Sequence, residues 1–158
     1  MCLVIDANCF SLVFGKKKHA GFTPVRNWIE DGNGRMIYGG EKYNRELKDW
    51  KMLSILKELS TGRKTVHIPD AEVDAIAAAL KHKFPEAGFD DAHIVALVIT
   101  SGCRVVCTND KRAMPYLKCR DVFADYAGVQ RPKIYTGDRR HAKLCCPEHI
   151  VAKCRDAN

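Results

Sequence analysis

The stretch DDAHIVALVITSGCRVVCTND, residues 90–110, constrains the fold more than any other. Ile94, Leu97 and Val98 recur at helical spacing after Asp91, and Gly102 stands where a helix must stop. CRVVC is then a short apolar run of the kind buried on both faces of a parallel sheet. A helix that feeds such a strand runs back antiparallel to it. Asp91 at the helix start and Asp110 just past the strand therefore return to one edge of the sheet.

The rest of the chain repeats this alternation. LVI is a buried strand ending on Asp6, and Ala7 to Phe14 reads as a helix whose first turn Asn8 helps cap. After a turn at Gly15 and KKK, PVRNWIEDGNG opens on a proline suited to a first helical turn and closes in a Gly/Asn cluster, and RMIYGG is a brief strand. From Glu41 to Ser60 the residues Tyr43, Leu47, Trp50, Leu53, Leu56 and Leu59 recur at steps of three or four, which predicts one long amphipathic helix ended by Gly62. KTVHI is a strand, and Pro69 with Asp70 opens a helix that turns Val73, Ile76, Ala77 and Leu80 inward. A helical turn around Lys111 to Leu117 and a last strand, DVFA, complete the pattern. The expectation is an α/β fold with a mostly parallel sheet covered on both faces. At 158 residues the chain is long enough to bury roughly 70% of the surface its unfolded form exposes.

In an open parallel sheet, ligands bind beyond the carboxyl ends of the strands. Asp6 follows LVI and Asp110 follows CRVVCTN, so both face one crevice if their strands are neighbours, and Asp91 joins them. A fourth carboxylate comes from the long helix: Glu46, beside the inward Leu47, with Glu41 as the alternative. Crowded carboxylates raise one another's pKa unless a cation neutralises them, and oxygen donors without His or Cys suit Mg²⁺ or Mn²⁺. Beside an anionic substrate such ions serve phosphodiester hydrolysis. Asn8 and Asn109 are candidates to hold water or phosphate oxygens, and Thr108 to tie down the loop. Taken singly, each acid is more often a helix cap or a solvated surface group; the joint placement of Asp6, Asp91 and Asp110 argues for a site. An aspartyl phosphatase would need an acid two residues after Asp6, where Asn8 stands.

The order and spacing of VIDAN, Glu46-Leu47, DDAHIVAL and VVCTND resemble those of the PIN-domain family of metal-dependent nucleases, which includes the toxin ribonucleases of bacterial toxin–antitoxin pairs. The resemblance covers roughly residues 2–125. It implies an α/β/α sandwich over residues 1–128; residues 129–158 fall outside the resemblance and are expected as a basic extension packed on that domain. It also implies divalent ions held by Asp6, Glu46, Asp91 and Asp110, with Thr108 supporting the last acid. RNA is the implied substrate, and an antitoxin protein and a homodimer are implied partners. Two positions stay open. Asp90 competes with Asp91, which is favoured because Ile94 and Leu97 then follow at the family spacing; Glu41 replaces Glu46 if the long helix starts later.

Charge agrees with an anionic partner: the formal net charge is +7, and residues 129–158 hold seven Lys or Arg against three Asp or Glu, a net +4. Arg139, Arg140 and Lys143 with the ring of Tyr135 suit phosphates and one stacked base, alongside Lys42 and Arg45 of the long helix. A solvated tail packing Ile134, Leu144 and Ile150 onto the domain is an equal reading. The eight cysteines lie in apolar runs or near the chain ends and predict reduced thiols; Cys145, Cys146, His149 and Cys154 match no usual zinc spacing. Among the histidines, His67 and His82 are weighed as bases, while His93, two residues past Asp91, is expected on the opposite side of the helix as a surface or packing residue. No apolar run approaches the ~20 residues that span a bilayer, and MCLVIDANCF lacks the charged start of a secretory signal, so a cytoplasmic protein is expected. The functional expectation is an Mg²⁺- or Mn²⁺-dependent endoribonuclease. The alternative is a non-catalytic nucleic-acid or protein binding module on the same fold.

Overall fold

The computed structural model describes residues 2–17, 19–48, 50–86 and 89–155, without the side chain of Trp50. Lys18 in the predicted lysine turn, Asp49 in the predicted long helix, and the apolar contact expected of Trp50 lie outside the described residues. Five strands form an all-parallel sheet in the order β3-β2-β1-β4-β5: β1 (Cys2–Ile5), β2 (Arg35–Tyr38), β3 (Thr65–His67), β4 (Val105–Cys107) and β5 (Lys133–Tyr135). The chain builds from β1 out to β3, then crosses to β4 and β5, so the order reverses between β1 and β4. Ile5 pairs with Cys107 in that register, and Asp6 and Thr108 leave the sheet side by side at this switch point.

Around the sheet lie α1 (Ala7–Phe14), α2 (Thr23–Glu30), α3 (Glu41–Glu46), α4 (Trp50–Thr61), α5 (Asp70–Lys83), α6 (Ala92–Ser101), α7 (Ala113–Lys118), α8 (Arg120–Phe123) and α9 (Ala152–Arg155). Short 3-10 turns cover Arg139–Leu144 and Pro147–His149. Every residue of β1 and β4 is buried, so both faces of the central strands are covered. The helices pack in two groups, α1 with α2 and α4, and α5 with α6 and α3. From Ala92 to Ile99 every residue of α6 is buried, as expected of a helix apolar all round. No helix among the described residues is long and apolar enough to cross a membrane.

The predicted long helix is two helices. Its apolar stripe is continuous in sequence, but the halves bury against different neighbours: α3 against α5 and α6, α4 against α1 and β3. The chain turns at Leu47, which caps α3 and is fully buried. Upstream, Gly39 and Gly40 take φ +150° and +87°, and a Cβ on Gly39 would lie 2.2 Å from the Ile68 carbonyl oxygen. The exposed N–H groups of α3 are capped from α5 rather than locally: Gly40 N–H donates to Asp70 Oδ1 (2.8 Å) and Glu41 N–H to Asp74 Oδ1 (3.1 Å).

Four further expectations are corrected. DVFA lies in α8 and its exit, not in a strand; a short apolar run without alternation fits either state, and KIY takes the slot beside β4 instead. Tyr135 is consequently no stacking ring: it is fully buried, and its hydroxyl donates to the Gly21 carbonyl at 2.6 Å. The cap of α1 is Asp6, which accepts from the Asn8 N–H, rather than Asn8. Finally, the thiols are not all reduced, because α9 returns to the start of β1 and Cys154 is joined to Cys2. That pairing also removes Cys154 from the weighed zinc set.

Gly62 sits at the cap of α4, but the left-handed position falls one residue later, on Arg63 (φ 56°). The turn closes through Lys64 N–H to the Leu59 carbonyl (2.7 Å) and Arg63 N–H to the Ser60 carbonyl (3.0 Å). A side chain there costs about 1 kcal/mol. Arg63→Gly should therefore raise stability by about 0.5–1 kcal/mol in urea melts, and Arg63→Val should lower it; the reverse order would contradict this account of the turn.

Candidate metal-binding acidic site

Asp6 is the inner residue of the site. It is 6% exposed, and its carboxylate accepts from Thr108 Oγ1 (2.6 Å) and Asn8 Nδ2 (3.0 Å). The Thr108 hydroxyl in turn accepts from the Asp110 backbone N–H at 3.0 Å. One buried hydroxyl thus fastens the loop after β4 to the end of β1 and sets Asp110 beside Asp6.

The other two acids come from helix ends. Asp91 occupies the N-cap of α6 with no side-chain bond to its helix, and is half-buried. Asp90 is exposed and pairs with Arg112 Nη1 at 3.7 Å, so Asp91 is the inward member of the pair. Glu46, the last residue of α3, accepts a hydrogen bond from His93 Nε2 at 3.0 Å and lies 3.8 Å from Lys42 Nζ. Glu41 is exposed at the far end of α3.

The electrostatics tie the four acids into one neighbourhood. Burial raises the pKa of Asp6; Thr108 and Asn8 oppose this, and Glu46 and Asp110 push it further up. Burial, then the charge of Asp6, raises Asp91. Burial raises Glu46, partly offset by Lys42. Asp110 goes the other way: the hydrogen bonds from the Arg112 side chain and backbone hold its carboxyl below the usual range. Among the described residues no three His, Cys, Asp or Glu side chains stand close enough to hold an ion as they are. The chemistry of the set still fits a hard divalent cation, because the donors are all oxygens and three of them carry a charge penalty that such a cation relieves.

The flanking residues divide. Lys42 donates to the Asp90 carbonyl at 2.5 Å and borders the site, whereas Arg45 bonds back to the Glu41 carbonyl on its own helix. Asn8 is engaged with Asp6, and Asn109 is exposed in the loop after β4. Arg139, Arg140 and Lys143 are exposed on the segment that leaves β5 at the same edge of the sheet, Arg140 being paired with Asp138 at 2.7 Å. His67 pairs with Asp70, and His82 is exposed.

Sequence reasoning misplaced His93 and overlooked Arg112. His93 is 2% exposed, which fits a packing residue and not a surface one, but it faces Glu46 rather than lying away from the acids. Counting helical positions from Asp91 fails because Asp91 is the cap (φ −96°, ψ 29°) and lies outside the helical progression. The signal was present: in a helix apolar all round, a histidine has no solvent face and needs a buried partner.

Because Asp91 has a raised pKa in the folded protein, the fold retains its proton at a pH where the unfolded chain has lost it, and its ionisation destabilises the fold as pH rises. In the metal-free protein, Asp91→Asn should therefore melt at a higher temperature than wild type at pH 8. The difference should vanish as pH falls through the raised pKa; a wild type that is the more stable at pH 8 would contradict this placement. The chain matches no protein-family model, no curated protein and no solved structure.

Proposed function

We propose that this chain is an Mg²⁺- or Mn²⁺-dependent endoribonuclease of the PIN-domain type, with Asp6, Glu46, Asp91 and Asp110 as its metal ligands. The observation that supports the reading is Asp6, buried beside the switch point between β1 and β4, with Glu46, Asp91 and Asp110 from three other places in the fold near enough to act on its charge or to feel it. Crowded carboxylates cost stability, a penalty that a bound cation would relieve. When bound, a divalent ion would polarise the scissile phosphate and activate water.

The chain's own residues have separate tasks in this reading. Thr108 holds Asp6 and the Asp110 backbone in fixed relation. Lys42 and Arg112 border the acids and take the phosphates on either side of the scissile bond, while exposed Arg139 and Lys143 extend the basic track along the same edge. RNA as substrate, an antitoxin as inhibitor and a homodimer as assembly rest on the resemblance to PIN domains.

The second reading, a non-catalytic nucleic-acid or protein binding module, draws on the pairing of Glu46 with Lys42 and of Asp110 with Arg112, which supplies cations from within. Cleavage of single-stranded RNA in Mn²⁺ separates the two. The nuclease reading expects cleavage that falls at least about a hundredfold in Asp6→Asn and Asp110→Asn, with the fold intact by circular dichroism. RNA binding without cleavage, or cleavage untouched by both substitutions, would overturn it.

A further inference from the structure

α3 is six residues long, too short to hold itself in register, and it delivers Glu46 from its last position. Two buried side chains fix it. The Tyr43 hydroxyl donates to the Ile5 carbonyl, the residue before Asp6, and so registers α3 against the end of β1. His93 reaches across from α6, with its Nε2 at 3.0 Å from Glu46 Oε2 and its ring 6.4 Å from that of Tyr43. Glu46 is otherwise a partly exposed side chain on a helix end, with Lys42, itself half-exposed, 3.8 Å away among the described residues.

His93 also links the two acids that the sequence supplies from different places: Asp91 caps α6, and His93, on the first turn of the same helix, bonds Glu46 at the end of α3. The other ring nitrogen, Nδ1, is buried and makes no hydrogen bond of good geometry among the described residues, so the contact with Glu46 is the ring's well-formed bond. A buried imidazole with one unmet nitrogen is costly in a helix otherwise lined by Ile94, Val95, Leu97 and Val98, where an aliphatic residue would pack without penalty.

We infer that His93 is a positioning residue: its Nε2 orients the Glu46 carboxylate toward Asp6 and Asp91, and thereby sets the affinity of the acidic site for a divalent ion. This rests on the nuclease reading of the four acids. The role belongs to one atom, which allows a test by side-chain shape. A glutamine amide reaches about where Nε2 sits, whereas an asparagine amide reaches only to Nδ1.

The test is calorimetric titration of Mn²⁺ into wild type, His93→Gln, His93→Asn and His93→Ala, with thermal melts of each. His93→Asn and His93→Ala are expected to weaken Mn²⁺ binding about 10- to 100-fold, and His93→Gln to stay within about threefold of wild type. In the RNA cleavage assay at subsaturating Mn²⁺, kcat should follow the same order while KM for RNA stays level. Equal Mn²⁺ affinity in all four proteins, or equal losses in the Gln and Asn variants, would overturn the positioning role and leave the nuclease reading standing. A wild type that binds no Mn²⁺ would instead overturn the nuclease reading itself, and His93 with it.

Discussion

The buried hydrogen bond from Thr108 Oγ1 to Asp6 is the contact on which the site depends. It lies at the place where the sheet order reverses, the one point on a parallel sheet where flanking helices diverge and leave a crevice. Thr108 is fully buried and Asp6 nearly so, and this bond satisfies the hydroxyl donor and helps offset the desolvation of the carboxylate. The same hydroxyl accepts from the Asp110 backbone, so two acids 104 positions apart in the chain (110 less 6) share one anchor.

The other two acids reach the neighbourhood of Asp6 by helix ends rather than strand ends. Asp91 is placed by the packing of α6, a helix with almost no solvent face, against β1 and β2. Glu46 is placed by α3, whose N-terminus is capped from α5 and whose middle is pinned to β1 through Tyr43. Rigid core elements thus deliver side chains whose mutual repulsion opposes the fold locally. Lys42 and Arg112 moderate that repulsion from the rim.

Much of this was legible in the sequence, and the residues show why the rest was not. LVID, DDAHIVAL and CRVVCTND carry strand and helix signals that local spacing dictates, so Asp6 and Asp110 follow neighbouring strands and Asp91 opens α6. The break at Leu47 was hidden because an apolar stripe states that a residue is buried, not against which neighbour. DVFA and KIY are both short apolar runs, and only the competition for the edge beside β4 separates them. His93 was misplaced by a helical count that began on a cap, and the Cys2–Cys154 pairing, between the two ends of the chain, depends wholly on tertiary return.

The central claim, that four acids from four elements form a single cation site, is tested most directly by paramagnetic broadening. With substoichiometric Mn²⁺ added to isotope-labelled protein, the backbone resonances around Asp6, Glu46, Asp91 and Asp110 should broaden together, ahead of those near the exposed Asp125 and Glu72. Broadening confined to one of the four segments, or spread evenly over surface carboxylates, would contradict the account.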